Sequence, residues 1–253
     1  MPRFFIEKCL PSDVTNIRLE QDDAHHISHV LRMREGEEVI VCDGAKSDHI
    51  TVIESFEAGA VILKVVDVKK NNTEPLWRAS LYQGLPKGDK MDLIIQKAVE
   101  LGVSRIIPVE CSRSISKLPV NKQAKRLERW NRIALEAARQ CGRGQIPQIM
   151  PPVSFKKAVQ EAAAADLCFL PWENERSVSL RALISSRYPT LEVEELTVAF
   201  LIGPEGGLSL EEVGLAEQAG IRSVTLGPRI LRTETAGLAV LAMLGYQYDQ
   251  NDQ

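Results

Sequence analysis

The hydrophobic pattern changes character at Lys69-Lys70-Asn71-Asn72-Thr73-Glu74-Pro75, and this change limits the chain to two pieces of different architecture. Upstream, short apolar runs at Arg3–Ile6, Glu38–Cys42, Asp48–Glu54 and Ala60–Val68 are separated by Asp43-Gly44 and Glu57-Ala58-Gly59. Such turns supply the positive φ that hairpins need, so residues 1–70 read as a small β-barrel-like domain with a helical stretch at Asp22–Met33. The polar residues 71–75 read as a linker. From residue 76 to 253 strand and helix patterns alternate, the signature of an α/β domain around a mainly parallel sheet. Strands are expected at Ala79–Leu85, Val103–Val109, Asp166–Leu170, Val198–Ile202 and Ser223–Leu226. Helices are expected at Asp92–Leu101, Asn121–Cys141, Leu210–Ala219 and Thr235–Tyr248.

The last of these helices has no charged residue from Thr235 to Tyr248. A helix apolar all round is buried, here in the core or at a subunit interface, and it is too short to span a bilayer. The N-terminus carries no apolar segment of the secretory kind. Five scattered cysteines without a C-x-x-C pair indicate neither a disulfide framework nor a thiolate zinc site, and a cytoplasmic setting is expected. His25 and His29 could share a helix face, but H-E-x-x-H is absent and no third ligand is evident, so no metal is expected.

The net charge of −3 hides a gradient. Cys111–Gly144 holds nine Lys/Arg against two Glu, whereas residues 166–220 hold ten Asp/Glu against three Arg. A basic block within an acidic chain suits a phosphate backbone, although a solvated helix face would look the same.

Two glycine-bearing segments end strands in the C-terminal half: Leu201-Ile202-Gly203-Pro204-Glu205-Gly206-Gly207, and Leu226-Gly227-Pro228-Arg229-Ile230-Leu231-Arg232-Thr233-Glu234-Thr235-Ala236. Open α/β sheets bind ligands beyond the carboxyl ends of strands, and glycine allows close backbone approach. Neither segment matches a dinucleotide or P-loop pattern. Together, however, they closely resemble the SPOUT superfamily, and within it the ribosomal RNA small subunit methyltransferase E family, which methylates N3 of a uridine in 16S rRNA. The resemblance extends to Lys87-Gly88-Asp89-Lys90-Met91-Asp92, Lys97-Ala98-x-Glu100-Leu101-Gly102, Arg129-Trp130 and Glu136-Ala137-Ala138-x-Gln140-x-x-Arg143. At the N-terminus it covers Arg3-Phe4-Phe5 and Val30-Leu31-Arg32, so it runs over nearly the whole chain.

The resemblance implies an N-terminal PUA-like β-barrel, a C-terminal α/β trefoil knot, a homodimer, and S-adenosylmethionine held by main-chain groups of three loops. On this sequence the cofactor loops comprise Leu170; Leu201, Ile202, Gly203, Pro204, Glu205, Gly206 and Gly207; and Leu226, Gly227, Ile230, Leu231, Arg232, Thr235 and Ala236. The substrate would be 16S rRNA or the small ribosomal subunit, held by Arg3, Arg32, Arg34, Lys87, Lys90, Arg113, Arg126, Arg129, Arg132 and Arg143. Uracil N3 must lose a proton, which places charge on the flanking oxygens, so a base or a stabilising cation is needed. Arg229 and Arg232 are the candidate cations. Glu205 is the candidate acid/base and Glu234 a weaker one. Two rival readings stand: a non-catalytic RNA-binding or ribosome-assembly protein that keeps the fold, and a small-molecule α/β enzyme, against which the basic helix and the barrel both argue.

Overall fold

Alternating apolar residues lay down the first sheet. In β1 (Arg3–Phe5), β2 (Asn16–Glu20), β3 (Glu38–Cys42), β4 (Ser47–Glu57) and β5 (Ala60–Lys70), one face carries Phe4, Ile17, Leu19, Val39, Val41, Ile53, Val61 and Leu63 into a common core. The strand order is β1-β3-β4-β5-β2, with β1 parallel to β3 and the other pairs antiparallel. The edge strands β1 and β2 do not pair, so the expected barrel is an open, curled half-barrel. The helical stretch is α1 (Gln21–His25) running into a π-helical turn, His26–Val30, and it closes the core with Ala24 and Ile27.

The computed structural model describes residues 1–6, 10–11, 13–44, 47–114, 120–188 and 196–249, which places Cys9 and Lys117 outside the described residues. The chain divides into two compact units, Met1–Glu74 with Ala138–Ile146, and Pro75–Ala137 with Pro147–Gln253. Asn71 and Glu74, from the polar stretch that reads as a linker, are built into the first unit. Asn71 is buried and donates to Asp48 at 3.0 Å. Glu74 accepts from the Arg143 guanidinium at 2.6 Å and from the backbone N–H groups of Gly144 and Gln145.

The second unit contains β6 (Trp77–Gly84), α2 (Lys90–Glu100), β7 (Arg105–Glu110), α3 (Val120–Cys141), β8 (Gln148–Ile149), β9 (Val153–Ser154), α4 (Phe155–Ala162) and β10 (Leu167–Pro171). It continues with α5 (Leu180–Arg187), β11 (Leu196–Ile202), α6 (Leu210–Gln218), β12 (Arg222–Val224) and α7 (Thr233–Tyr248). The last turn of α3 belongs to the first unit. All pairings are parallel, in the order β12-β10-β11-β6-β7-β8, with β9 also on β7. The central strands β6 and β11 are buried on both faces, as parallel strands covered by helices must be.

Helix α7 packs on α2, β6 and β11. Gly237 is buried on the face of α7 that meets the sheet, where a Cβ would come into ordinary contact with Leu81 and Ile202. Burial all round is not what the single chain provides: Ala242 is exposed, Met243 is 40% exposed and Tyr246 91%. The uncharged sequence marks a helix with two apolar sides, of which this chain covers one. No helix among the described residues is long and apolar enough to cross a membrane.

Candidate active site

Three loops meet at the carboxyl ends of β10, β11 and β12 and enclose a cleft of about 370 Å³. Its walls are Pro171–Glu173 and Arg176 from the first loop, Ile202–Leu208 from the second, and Thr225–Gly227 with Arg229–Thr233 and Ala236 from the third. This is the end of a parallel sheet where ligands bind.

The second loop is shaped by its glycines. Gly207 has φ +67°, and a Cβ there would lie 2.6 Å from Oε1 of Glu173. A Cβ on Gly203 would press on Gly207 and Leu208 at 3.1–3.2 Å. At Gly206 the close neighbour is Arg113, whose guanidinium donates to the Gly206 carbonyl at 3.1 Å. A capping box follows: Ser209 and Glu212 exchange backbone-to-side-chain hydrogen bonds at the start of α6, and Glu212 also accepts from the Ser112 N–H at 2.7 Å. Gly227 carries φ +116°, flanked by the Thr225 hydroxyl, which bonds its N–H and its carbonyl.

The start of α7 is tied to the second loop. Gln83, fully buried at the end of β6, donates to the Thr233 hydroxyl at 2.9 Å, and that hydroxyl donates to the Gly203 carbonyl at 2.7 Å. Next to Gln83, Gly84 supports the loop from below. A Cβ on Gly84 would lie 2.6 Å from the Pro204 nitrogen.

The charged groups divide into two sets. Glu205 accepts from the Lys87 N–H at 3.1 Å and from the Lys90 ammonium, which also reaches Glu234. Burial pushes the Glu205 carboxyl up. Its own backbone N–H, Lys90 and the Lys87 N–H outweigh that and hold it below the usual carboxylate range. Glu234 is also held low, first by its own backbone N–H at the helix start, against a smaller opposing effect of burial, and further by Lys90 and Arg232. Lys90 is raised, first by its bond to Glu205 and then by that to Glu234. In the second set, Arg176, Arg229 and Arg232 are exposed at the cleft and form no ion pair or side-chain hydrogen bond among the described residues. Burial pushes the Cys111 thiol up to about 12, which leaves it protonated and inert.

Most of the expected cofactor residues line the cleft, with three exceptions. Leu170 and Leu201 are buried in the core, because alternate residues of a strand point to opposite faces and theirs face helices α4 and α6 rather than the loop end. Thr235 lies exposed on α7, outside the lining. Trp172, Glu173 and Arg176 line the cleft from the loop after Leu170, which the resemblance implies as a cofactor loop, but no glycine signal singles these residues out in the sequence.

The phosphate-binding candidates separate by burial. Arg32, Arg34, Lys87, Arg113, Arg129 and Arg132 are exposed, and Arg126 is half-buried. Arg129 bonds Asp92, and Arg126 lies 4.0 Å from Asp89. Arg3 and Arg143 differ from these: Arg3 is held by Asp48 at 2.7 Å, Arg143 is buried against Glu74, and both pairings lie inside the first unit. Lys90 is likewise occupied by its two carboxylates. The rings of His25 and His29 stack at 4.5 Å, and no cluster of three or more His, Cys, Asp or Glu suited to a metal occurs among the described residues.

A family model described as an RNA methyltransferase domain matches residues 72–245, and one described as an RNA methyltransferase PUA domain matches residues 19–66. The ribosomal RNA small subunit methyltransferase E of Bacillus subtilis is 37% identical to this chain, covering 98% of it and 97% of the relative. The crystal structure of a ribosomal RNA small subunit methyltransferase E from Neisseria gonorrhoeae bound to S-adenosyl methionine is similar with a TM-score of 0.85 at 31% identity, covering 98% of each chain. A methyltransferase from Legionella pneumophila in complex with bound SAM gives 0.83 at 32% identity, covering 96% of each chain. With the fold, the cleft and these relatives in agreement over almost its full length, the chain belongs to the ribosomal RNA small subunit methyltransferase E family.

Proposed function

We propose that this protein transfers a methyl group from S-adenosylmethionine to N3 of a uridine in 16S rRNA. The observation that carries this reading is the cleft at the carboxyl ends of β10, β11 and β12, walled by two glycine-shaped loops and edged by Arg229 and Arg232. Its walls fit the cofactor: Ile202, Leu226, Ile230 and Leu231 offer apolar surface, and the glycines leave main-chain groups accessible where side chains would intrude. When bound, S-adenosylmethionine would supply a methyl group on a sulfonium, from which the neutral thioether of S-adenosylhomocysteine departs as the leaving group.

The residues of this chain then have to place the uracil and manage its charge. Arg232, directly before α7, and Arg229 can donate to uracil oxygens as N3 loses its proton. Neither forms an ion pair or side-chain hydrogen bond among the described residues, although Arg232 is close enough to Glu234 to act on its charge, and this leaves their forks available for a planar ligand. Glu205 and Glu234 fit the base role poorly. Both are held in the ionised form by Lys90 and backbone N–H groups, and a carboxylate stabilised in this way has little tendency to take a proton from uracil. Their role is to hold the second loop and the start of α7 through Lys90.

The exposed face of α7 with Ala242, Met243 and Tyr246 supports a homodimer in which a second copy covers it. The chain passes from β12 at the sheet edge back to α7 on α2 and β6, a path compatible with the tail of a trefoil knot. The exposed arginines of α3 support a phosphate-binding face, and the reaction would take place in the cytoplasm, with no metal. Incubation with methyl-labelled cofactor and small ribosomal subunits tests the activity. Label in 16S rRNA is expected. No transfer by protein that still binds the cofactor would favour the non-catalytic RNA-binding reading.

A further inference from the structure

The cleft contains two carboxylates, and they are not equivalent. Glu205 is taken up by Lys87 and Lys90. Glu173 lies against Gly207 and forms no hydrogen bond or ion pair among the described residues. It follows the end of β10 by two residues, and the turn that presents it is closed by the Glu175 N–H bonding the Trp172 carbonyl at 3.2 Å. Gly207 has φ +67°, a backbone conformation that favours glycine, and Oε1 of Glu173 occupies the space that a Cβ there would enter.

We propose that Glu173 is the counter-charge for a cationic centre of the bound cofactor. This inference rests on the S-adenosylmethionine reading of the cleft. The other charged groups lining this space are Glu205, which is already paired, and Arg176, Arg229 and Arg232. Three guanidinium groups favour anions, and a cationic ligand entering among them meets repulsion that a carboxylate in the wall offsets. S-adenosylmethionine carries two positive centres, the sulfonium and the α-ammonium. A half-buried carboxylate with no protein donor is suited to either, by contact with the first or by a charge-assisted hydrogen bond from the second. The cofactor differs from its product, S-adenosylhomocysteine, in the sulfonium charge, so the position of Glu173 also bears on how the site distinguishes the two.

Calorimetric titration of wild type and Glu173→Gln with S-adenosylmethionine, S-adenosylhomocysteine and 5′-methylthioadenosine tests the proposal. Glutamine keeps the shape and removes the charge. An affinity loss of about tenfold or more is expected for S-adenosylmethionine, the size of one charge-assisted contact. If S-adenosylhomocysteine is unaffected, the sulfonium is the partner. If it falls equally while 5′-methylthioadenosine is unaffected, the α-ammonium is. An equal fall for all three ligands, or no change for any, overturns the proposal. Wild type that binds none of the three instead refutes the cofactor reading itself. Glu173→Asp, which keeps the charge on a shorter arm, should recover part of the lost affinity. Melting curves of the apo variants within a few degrees of wild type would exclude a folding origin.

Discussion

The Lys90 ammonium lies 3.1 Å from Oε1 of Glu205 and, on its other side, 3.1 Å from Oε2 of Glu234. One cation from the start of α2 thus fastens the loop after β11 and the first turn of α7.

This clasp separates two roles for Glu205 by magnitude. A partly exposed ion pair contributes about 0–1 kcal/mol, up to roughly a fivefold change in an equilibrium. Losing a general base costs about 10²–10⁴ in rate. Glu205→Gln is therefore expected to lower methylation at saturating substrates by less than about tenfold. The pH dependence has the same logic. Glu205 and Glu234 are depressed and Lys90 is raised, so the clasp is complete above the ordinary carboxylate range. It is lost as pH falls through the depressed values or rises through the raised lysine value. Between those limits Glu205 adds no inflection. A pH–rate profile whose neutral inflection disappears in Glu205→Gln would restore it as the base.

Gly84 gives a prediction far from any ligand-facing side chain. A methyl there would press on the Pro204 nitrogen at 2.6 Å and on its Cδ at 2.7 Å, and both belong to the loop that the site depends on. Gly84→Ala should destabilise the protein by about 1–3 kcal/mol and weaken cofactor binding, because backbone rather than a flexible side chain must move. Melting temperature and calorimetric affinity check this. Unchanged values for both would mean that the loop yields freely.

How much could be read beforehand follows the length and period of each signal. Helix α3 is legible because Trp130, Ala134 and Ala137 recur on a buried face over 22 residues. The strands β6 and β11 are legible as apolar runs. Strand β2 carries two buried residues, Ile17 and Leu19, too few to establish a period, and β8 and β9 have two residues each. Helix α4 carries a legible signal, with Ser154 as its cap and Phe155, Ala158, Val159 and Ala162 at helical spacing, although it is absent from the expected elements. In the site, glycine marks two of the three loops. Glu173, Gln83 and Gly84 become informative only when strands distant in sequence end side by side. Arg143 and Arg3 looked like phosphate ligands because their carboxylate partners, Glu74 and Asp48, are far from them in the chain.

The same contrast yields a paired test of RNA binding. Replacing Arg126, Arg129 and Arg132 by Glu should weaken RNA binding and flatten its salt dependence while sparing cofactor affinity, since phosphate contacts release counterions. Arg143→Ala should instead cost about 1–3 kcal/mol of stability, because Glu74 loses its cation and keeps only the backbone N–H groups of Gly144 and Gln145. Filter binding across a salt series and melting curves distinguish the two. A triple variant with a wild-type salt slope would reduce the arginines of α3 to a solvated face.

Arg232 tests charge stabilisation. A donor that serves only the transition state contributes about 10²–10³ in rate, so single-turnover methylation by Arg232→Ala should fall by that factor with cofactor and RNA affinities little changed. Raising pH should recover part of the loss, because more uracil is then deprotonated without help. Arg232→Lys should recover little, since an ammonium lacks the planar fork. Weaker cofactor binding, a lower melting temperature and no rescue by pH would instead identify Arg232 as a brace for the start of α7.

The chemistry assigned to the cleft comes down to one atom on one base. Small ribosomal subunits from cells lacking this protein can be incubated with the pure protein and S-adenosylmethionine, and their 16S rRNA digested for nucleoside mass spectrometry. The expected result is the appearance of 3-methyluridine, dependent on cofactor and greatly reduced with Arg232→Ala. Methylation at carbon 5, at a ribose hydroxyl or on another base would contradict it, as would unmodified RNA in the presence of protein that binds both cofactor and subunit.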